Sequence, residues 1–203
     1  MATKTIYKVT GPEAAAFAVQ DVSGVAQIRL DGTNVTSTAA ELSILDGVTA
    51  TAAEINEAAD KSAAAVVALT DDASLTQAAH AGRIVTLGSA DGDTVTLPAA
   101  TGTGDVYTVI VSVAVTSNNH IIQVADATDV MYGGLVGMAD GGDTTVGWET
   151  AADSDTITMD GSTKGGYAGD KIVLTDIAAN KWQVEGLLKQ TGTEATPFSA
   201  AVS

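Results

Sequence analysis

One run constrains the fold more than any other. From Tyr107 to Val115 the chain alternates, with Tyr107, Val109, Val111, Val113 and Val115 on one face and Thr108, Ile110, Ser112 and Ala114 on the other. Period-two alternation of β-branched residues specifies a strand. Neither face carries a charge, which places it inside a sheet. Shorter runs recur on both sides. Arg83 to Leu87 and Thr94 to Leu97, separated by Gly-Ser-Ala-Asp-Gly-Asp, read as a hairpin. Ile121 to Ala125, Thr144 to Thr150, Thr156 to Met159, Lys171 to Ile177 and Lys181 to Leu188 follow, with turns at Thr116 to His120, Asp160-Gly161 and Ala178 to Asn180. Met131 to Met138 is apolar but broken by glycines, which fits an edge or a segment of close backbone contact. The expectation is an all-β body over residues 61–190, a β-sandwich or barrel of about eight strands. Lys61 to Leu69 leads in as a linker or strand, and residues 191–203 read as an extended C-terminal tail. Aromatics make up only 4% of the chain, which suits thin β layers of Ala, Val, Thr and Gly.

Residues 1–60 have a different texture. Val-Thr-Ser-Thr-Ala-Ala-Glu-Leu-Ser begins at Val35, and Val-Thr-Ala-Thr-Ala-Ala-Glu-Ile-Asn begins at Val48. Each copy holds Thr-x-x-Glu, Thr38 with Glu41 and Thr51 with Glu54, a capping box in which the threonine accepts from the N3 amide and the glutamate reaches back to the cap amide. Two short helices are expected to start at Ala39 and Ala52. The first ends near Leu45, because Asp46-Gly47 closes a helix. About two turns of helix are not stable alone in water. Leu42, Ile44, Leu45 and Ile55 therefore need a surface to cover, on the body or on another chain. Before the repeat, Thr5 to Thr10 and Val25 to Leu30 are strand candidates, the latter turned by Asp31-Gly32. They are too short to make a sheet alone, so they are expected to add to the body or to another chain. Residues 1–60 thus form an N-terminal arm for attachment or oligomerisation, with Thr38, Glu41, Leu42, Leu45, Thr51, Glu54 and Ile55 as its candidate contact residues.

The stretch Thr-Ala-Ala-Glu-Leu-Ser-Ile-Leu-Asp-Gly-Val-Thr-Ala-Thr-Ala-Ala-Glu-Ile-Asn resembles the T-A-x-E-L-N-x-L-D-G-V-T repeats of bacteriophage tail fibres, head fibres and related virion proteins. Residues 71–203 resemble small structural proteins of marine tailed phages, notably in Thr-Val-Thr-Leu-Pro-Ala-Ala-Thr-Gly-Thr-Gly (residues 94–104) and in Gly-Thr-Glu-Ala-Thr-Pro-Phe-Ser near the end. The resemblance implies a structural virion protein without an active site, typically a homotrimer on a capsid or fibre. After Asn56 the second copy departs from the repeat, so a long shaft is not expected. Within the family the expectation is a capsid decoration or cement protein on the exterior of a phage head, with the major capsid protein as its partner. The alternative is a tail-fibre or adhesin subunit that binds host surface glycans.

Charge and composition bound the rest. The net charge is −16, from 9 basic and 25 acidic residues spread along the chain. Binding to a phosphate backbone needs clustered Lys and Arg, so no nucleic-acid partner is expected. Met-Ala-Thr-Lys-Thr-Ile-Tyr-Lys lacks an apolar h-region, and no run of ~18 apolar residues exists. Synthesis in a host cytoplasm and no membrane span are the expectations. There is no cysteine, and His80 and His120, the only histidines, have no ligand-type partner at helical spacing. They read as turn or surface residues. Asp91 and Asp93, Asp140 and Asp143, and Asp153 and Asp155 bring carboxylates close together, as a structural Ca²⁺ requires, but the spacing matches no Ca²⁺ loop and ordinary turn chemistry is the favoured reading. The glycine clusters match neither a dinucleotide fold nor a phosphate loop. Trp148 and Trp182 suit a sugar-stacking platform or the core, and Trp182, in period with Val184, suits the core. No catalytic residue, cofactor, metal or small-molecule substrate is expected.

Overall fold

The computed structural model describes residues 28–30, 33–35, 37, 40–41, 48–52, 54–55 and 66–202. The chain divides into two compact units, Met1–Asn56 and Glu57–Ser203. In the first, β1 (Ile28–Leu30) and β2 (Thr33–Val35) pair antiparallel, with Leu30 opposite Thr33 and Ile28 opposite Val35. The strand that was expected to join the body or another chain therefore pairs within its own unit, with the residues beyond Asp31-Gly32.

The second unit is all-β. Its strands are β3 (Val66–Leu69), β4 (Ala73–Ser74), β5 (Ile84–Leu87), β6 (Thr94–Thr96), β7 (Val106–Val111) and β8 (His120–Gln123). After these come β9 (Val130–Ala139), β10 (Thr144–Glu149), β11 (Thr156–Met159), β12 (Lys171–Ala178), β13 (Lys181–Gln190) and β14 (Phe198–Ser199). One helical turn, α1 (Gln77–His80), lies between β4 and β5. A seven-stranded sheet runs β10-β9-β13-β12-β7-β5-β3, and a five-stranded sheet runs β14-β11-β8-β6-β4.

From Val66 to Gln123 the chain winds rather than folding back. β3, β5 and β7 are parallel neighbours in the larger sheet, and β4, β6 and β8 are parallel neighbours in the smaller one. Each of three successive coils contributes one strand to each sheet. The expected hairpin of Arg83–Leu87 with Thr94–Leu97 is thereby corrected, since β5 and β6 lie in different sheets. The polar stretch between them is a corner: the Gly88 amide donates to the Leu69 carbonyl at 2.8 Å, and the Thr116 amide to Ala90 at 2.8 Å. From Thr144 on, β10, β11, β12 and β14 complete the sheets with antiparallel pairs, while β13 lies parallel to β9.

Three further expectations change. The strand expected over Tyr107–Val115 ends at Val111, because the Ser112 and Val113 amides and the Ser112 hydroxyl all converge on the Leu87 carbonyl. A serine hydroxyl competing for a backbone carbonyl ends a ladder locally. Of the two readings of Met131–Met138 the edge fails and the close backbone contact holds: β9 lies between β10 and β13, and a Cβ on Gly133 would come within 2.0 Å of the Val184 carbonyl oxygen. Residues 191–203 are not simply a tail, since β14 pairs with β11 and Phe198 joins the core.

The inner faces of the two sheets meet in one hydrophobic cluster. Val85, Val109, Leu174, Val184 and Leu188 come from the larger sheet, and Val95, Ile122, Ile157 and Met159 from the smaller. Two sheets face to face make a sandwich-like layering rather than a closed barrel. Tyr107 and Trp182 pack edge to face at 5.6 Å and 72° between them. Each such fully buried aliphatic side chain stabilises the fold by ~1.5–3 kcal/mol before entropy is counted.

Candidate functional site

The second copy of the repeat forms its cap as its residues dictate. The Thr51 amide donates to Glu54 Oε2 at 2.6 Å, the Thr51 hydroxyl to the same oxygen at 2.7 Å, and the Glu54 amide to Thr51 Oγ1 at 3.3 Å. The Ile55 amide then closes the first helical bond on the Thr51 carbonyl at 3.0 Å. The Thr51 amide, and after it the Thr51 hydroxyl, hold the Glu54 carboxyl below its ordinary 4.5. Ile55 leaves this turn 36% exposed. In the first copy Ala40 and Glu41 are helical and exposed. Thr38, Leu42 and Leu45 lie outside the described residues. The motif is a self-capped turn carrying an exposed apolar side chain.

The carboxylates of the body serve the backbone. Asp176 on β12 accepts from the Thr101, Gly102 and Thr103 amides at 3.0, 2.7 and 3.2 Å and from the Thr103 hydroxyl at 3.0 Å. Burial raises its pKa, but these hydrogen bonds outweigh it and the net direction is down. Asp170 accepts from Gly166, Tyr167 and Lys189 amides at 2.7, 3.1 and 2.8 Å, yet burial prevails and its pKa is raised. Asp160 folds the 160–164 loop onto itself through the Ser162 and Lys164 amides. Asp155 holds the C-terminal segment through the Ala201 and Val202 amides.

The acidic pairs singled out as cation candidates separate in function. Asp91 accepts from the Ser117 hydroxyl, Asp140 from the Gly192 amide, and Asp155 from the C-terminal segment. Among the described residues no three His, Asp or Glu side chains converge on a point that could hold a metal ion. A shallow open depression beside β4 and β6 is lined by Asp72, Ser74, Thr94 and Thr96, with Asp72 Oδ1 already taken by the Thr94 amide at 2.6 Å.

His120 departs from its sequence reading. It is fully buried, not at a surface, and its Nδ1 accepts from the Asp93 amide at 3.1 Å while Nε2 lies 3.1 Å from the Val113 carbonyl. His80 closes α1 locally, receiving the Thr76 amide on Nδ1 at 2.9 Å. Trp182 is in the core, as its period predicts. Trp148 is partly buried, and its Nε1 donates to Gln190 Oε1 at 2.9 Å. Gln190, also unnoticed in the sequence, is a buried clamp whose Nε2 donates to the Thr163 and Ala195 carbonyls. Neither tryptophan stands free as a sugar platform. No protein family, curated protein or solved structure matches the chain.

Proposed function

We propose that the protein is a structural component of a bacteriophage virion, a decoration or cement protein that binds the outer surface of the head as a homotrimer. The observation that carries this reading is the tandem Thr-Ala-Ala-Glu unit of residues 35–60, which resembles virion fibre repeats and whose second copy presents an exposed Ile55 from a self-capped turn. A one-turn helix with an apolar side chain gains stability by docking on a larger surface. In this reading the body is a scaffold, in which the buried Asp155, Asp170 and Asp176 accept from backbone amides. The protein acts without a cofactor or small-molecule substrate and engages neither nucleic acid nor membrane; its partners are its own copies and the major capsid protein.

The test is co-sedimentation of the full chain with phage heads stripped of decoration, beside circular dichroism. Leu42→Asp with Ile55→Asp is expected to keep the β signature and to lose particle binding. Labelling of intact virions decides the location. Label on the tail rather than the head would replace this reading with the fibre or adhesin one, and the absence of any particle association would end both.

A further inference from the structure

Only the inner face of the seven-stranded sheet packs into the core. On its outer face stand Val66, Val106, Tyr132, Val136, Ile177 and Leu187, exposed at 48, 38, 41, 43, 51 and 45%. Among the described residues of the body the one other large apolar side chain so exposed is Val113. The register groups them: Val136 lies beside Leu187, and Val66 beside Ile84. The smaller sheet is different. Thr94, Thr96, Gln123 and Thr158 point away from the core there, around one partly buried apolar residue, Ile121, and alternate with buried Val95, Ile122 and Ile157. A sheet face left to water reads polar, whereas a broad apolar one marks a contact surface.

Charge and area indicate what covers it. Lys171, Lys181 and Lys189 point outward on this face against Glu149 and Glu185, an excess of one positive charge on a chain of net charge −16, and the Lys189 ammonium lies 4.7 Å from the centroid of the Tyr167 ring. The Lys181 ammonium sits 5.7 Å from the centroid of the Tyr132 ring, so cation and apolar surface are continuous. Such a face is attracted by the acidic remainder of another copy more than by its own counterpart. That favours a heterologous contact, one face against a different surface of the next chain, which builds a ring where the rotation between copies closes. With the seven strands spaced ~4.8 Å apart and rising ~3.3 Å per residue, the face measures on the order of 750 Å². One partner in a standard interface contributes about 800 Å².

We infer that the outer face of the seven-stranded sheet is where a second copy of this chain docks, head to tail. Closure at three copies rests on the homotrimer reading above; the docking itself does not. Sedimentation velocity of the full chain, with Val136→Glu plus Leu187→Glu as the variant, tests it. The parent is expected to assemble at micromolar concentration. The variant, unchanged in circular dichroism, is expected to associate about a hundredfold more weakly, roughly tenfold for each apolar side chain lost. Because the chain has no cysteine, Leu187→Cys gives a single thiol whose maleimide labelling should slow as the protein is concentrated into its assembled range. A variant that assembles like the parent overturns the face and leaves the trimer standing. A parent that stays monomeric overturns both, and a thiol protected equally at every dilution means that the chain's own residues cover the face. The virion role is judged separately, by particle co-sedimentation.

Discussion

The Asp93 amide donates to Nδ1 of His120 at 3.1 Å, between residues buried at 1% and 0% exposure. Since Nδ1 accepts, the bonding partners assign the ring proton to Nε2, which donates to the Val113 carbonyl at 3.1 Å. Asp93 and His120 belong to the smaller sheet's side of the corner, and Val113 follows β7 of the larger sheet. The imidazole thus ties the two layers together where the chain crosses between them. His120→Leu leaves an amide and a carbonyl without partners and is expected to cost about 2–4 kcal/mol. His120→Asn, whose oxygen can take the place of Nδ1, should recover part of this in urea denaturation. Equal loss in both variants would show that ring volume, not the amide bond, is what matters.

Asp176 should make stability fall on acidification. Its folded pKa lies below the ordinary 3.8 because, against burial, the amides of Thr101, Gly102 and Thr103 favour the charged form. A depressed carboxyl contributes stability that is present above 3.8 and lost as pH falls through the folded value. Asp176→Asn keeps one acceptor and turns an NH₂ toward backbone donors, so about 2–4 kcal/mol should be lost at pH 7. The advantage of parent over variant should shrink in urea titrations carried down through that window.

Asp170 should act with the opposite sign. Burial raises its folded pKa above 3.8 in spite of the Lys189, Gly166 and Tyr167 amides. A raised carboxyl contributes stability that is fully present below 3.8 and lost as pH rises through the folded value. Stability of the parent minus that of Asp170→Asn should therefore decrease with rising pH, whatever its absolute size. An increase with pH would mean that the three amides dominate over burial.

What the sequence disclosed follows from the range over which each signal acts. Alternation is local, so β7, β12 and β13 were legible from Tyr107, Val173 and Val184 and their neighbours. Pairing is not local: two alternating runs joined by Gly-Ser-Ala-Asp-Gly-Asp look alike whether they form a hairpin or, as β5 and β6 do, a passage between sheets. His120 was misread for the same reason. Asn118-Asn119 beside it suggested a surface turn, while its partner Asp93 is 27 residues away. Phe198 is a lone aromatic in a polar tail and has no periodicity to announce that it enters the core. The Thr51–Glu54 cap, by contrast, joins residues only 3 positions apart and formed as its spacing required.

Gly133 tests the close parallel approach of β9 and β13. Its φ is 138°, and a Cβ there would strike the Val184 carbonyl, which is backbone and cannot step aside. Gly133→Ala combines a strained dihedral with a steric clash and is expected to destabilise the body by about 3 kcal/mol or more. Gly141→Ala, also at positive φ (97°) but with open space around its Cβ, isolates the dihedral part and should cost about 1 kcal/mol. Thermal midpoints of the two variants separate clash from strain, and similar shifts in both would show that β9 moves off β13 without penalty.

Glu54 reports whether the capped turn exists in solution as it does in the structure. With Thr51 donating from both its amide and its hydroxyl, the carboxylate should titrate below 4.5, and its share of the turn's stability should be present above that value and lost as pH falls through the folded pKa. Side-chain carboxyl shifts followed by NMR across this range give the pKa directly. Thr51→Val removes the hydroxyl but keeps the amide, so the pKa should move part of the way back toward 4.5. Pro at position 51 removes both donors and should restore it fully. The same two substitutions grade attachment if the turn is what docks: particle binding should weaken in the order Thr51→Val, then Thr51→Pro, in step with the Glu54 pKa. A Glu54 that titrates at its ordinary value in the parent chain would mean that the turn is not formed before contact, and the recognition element would then have to fold on its partner.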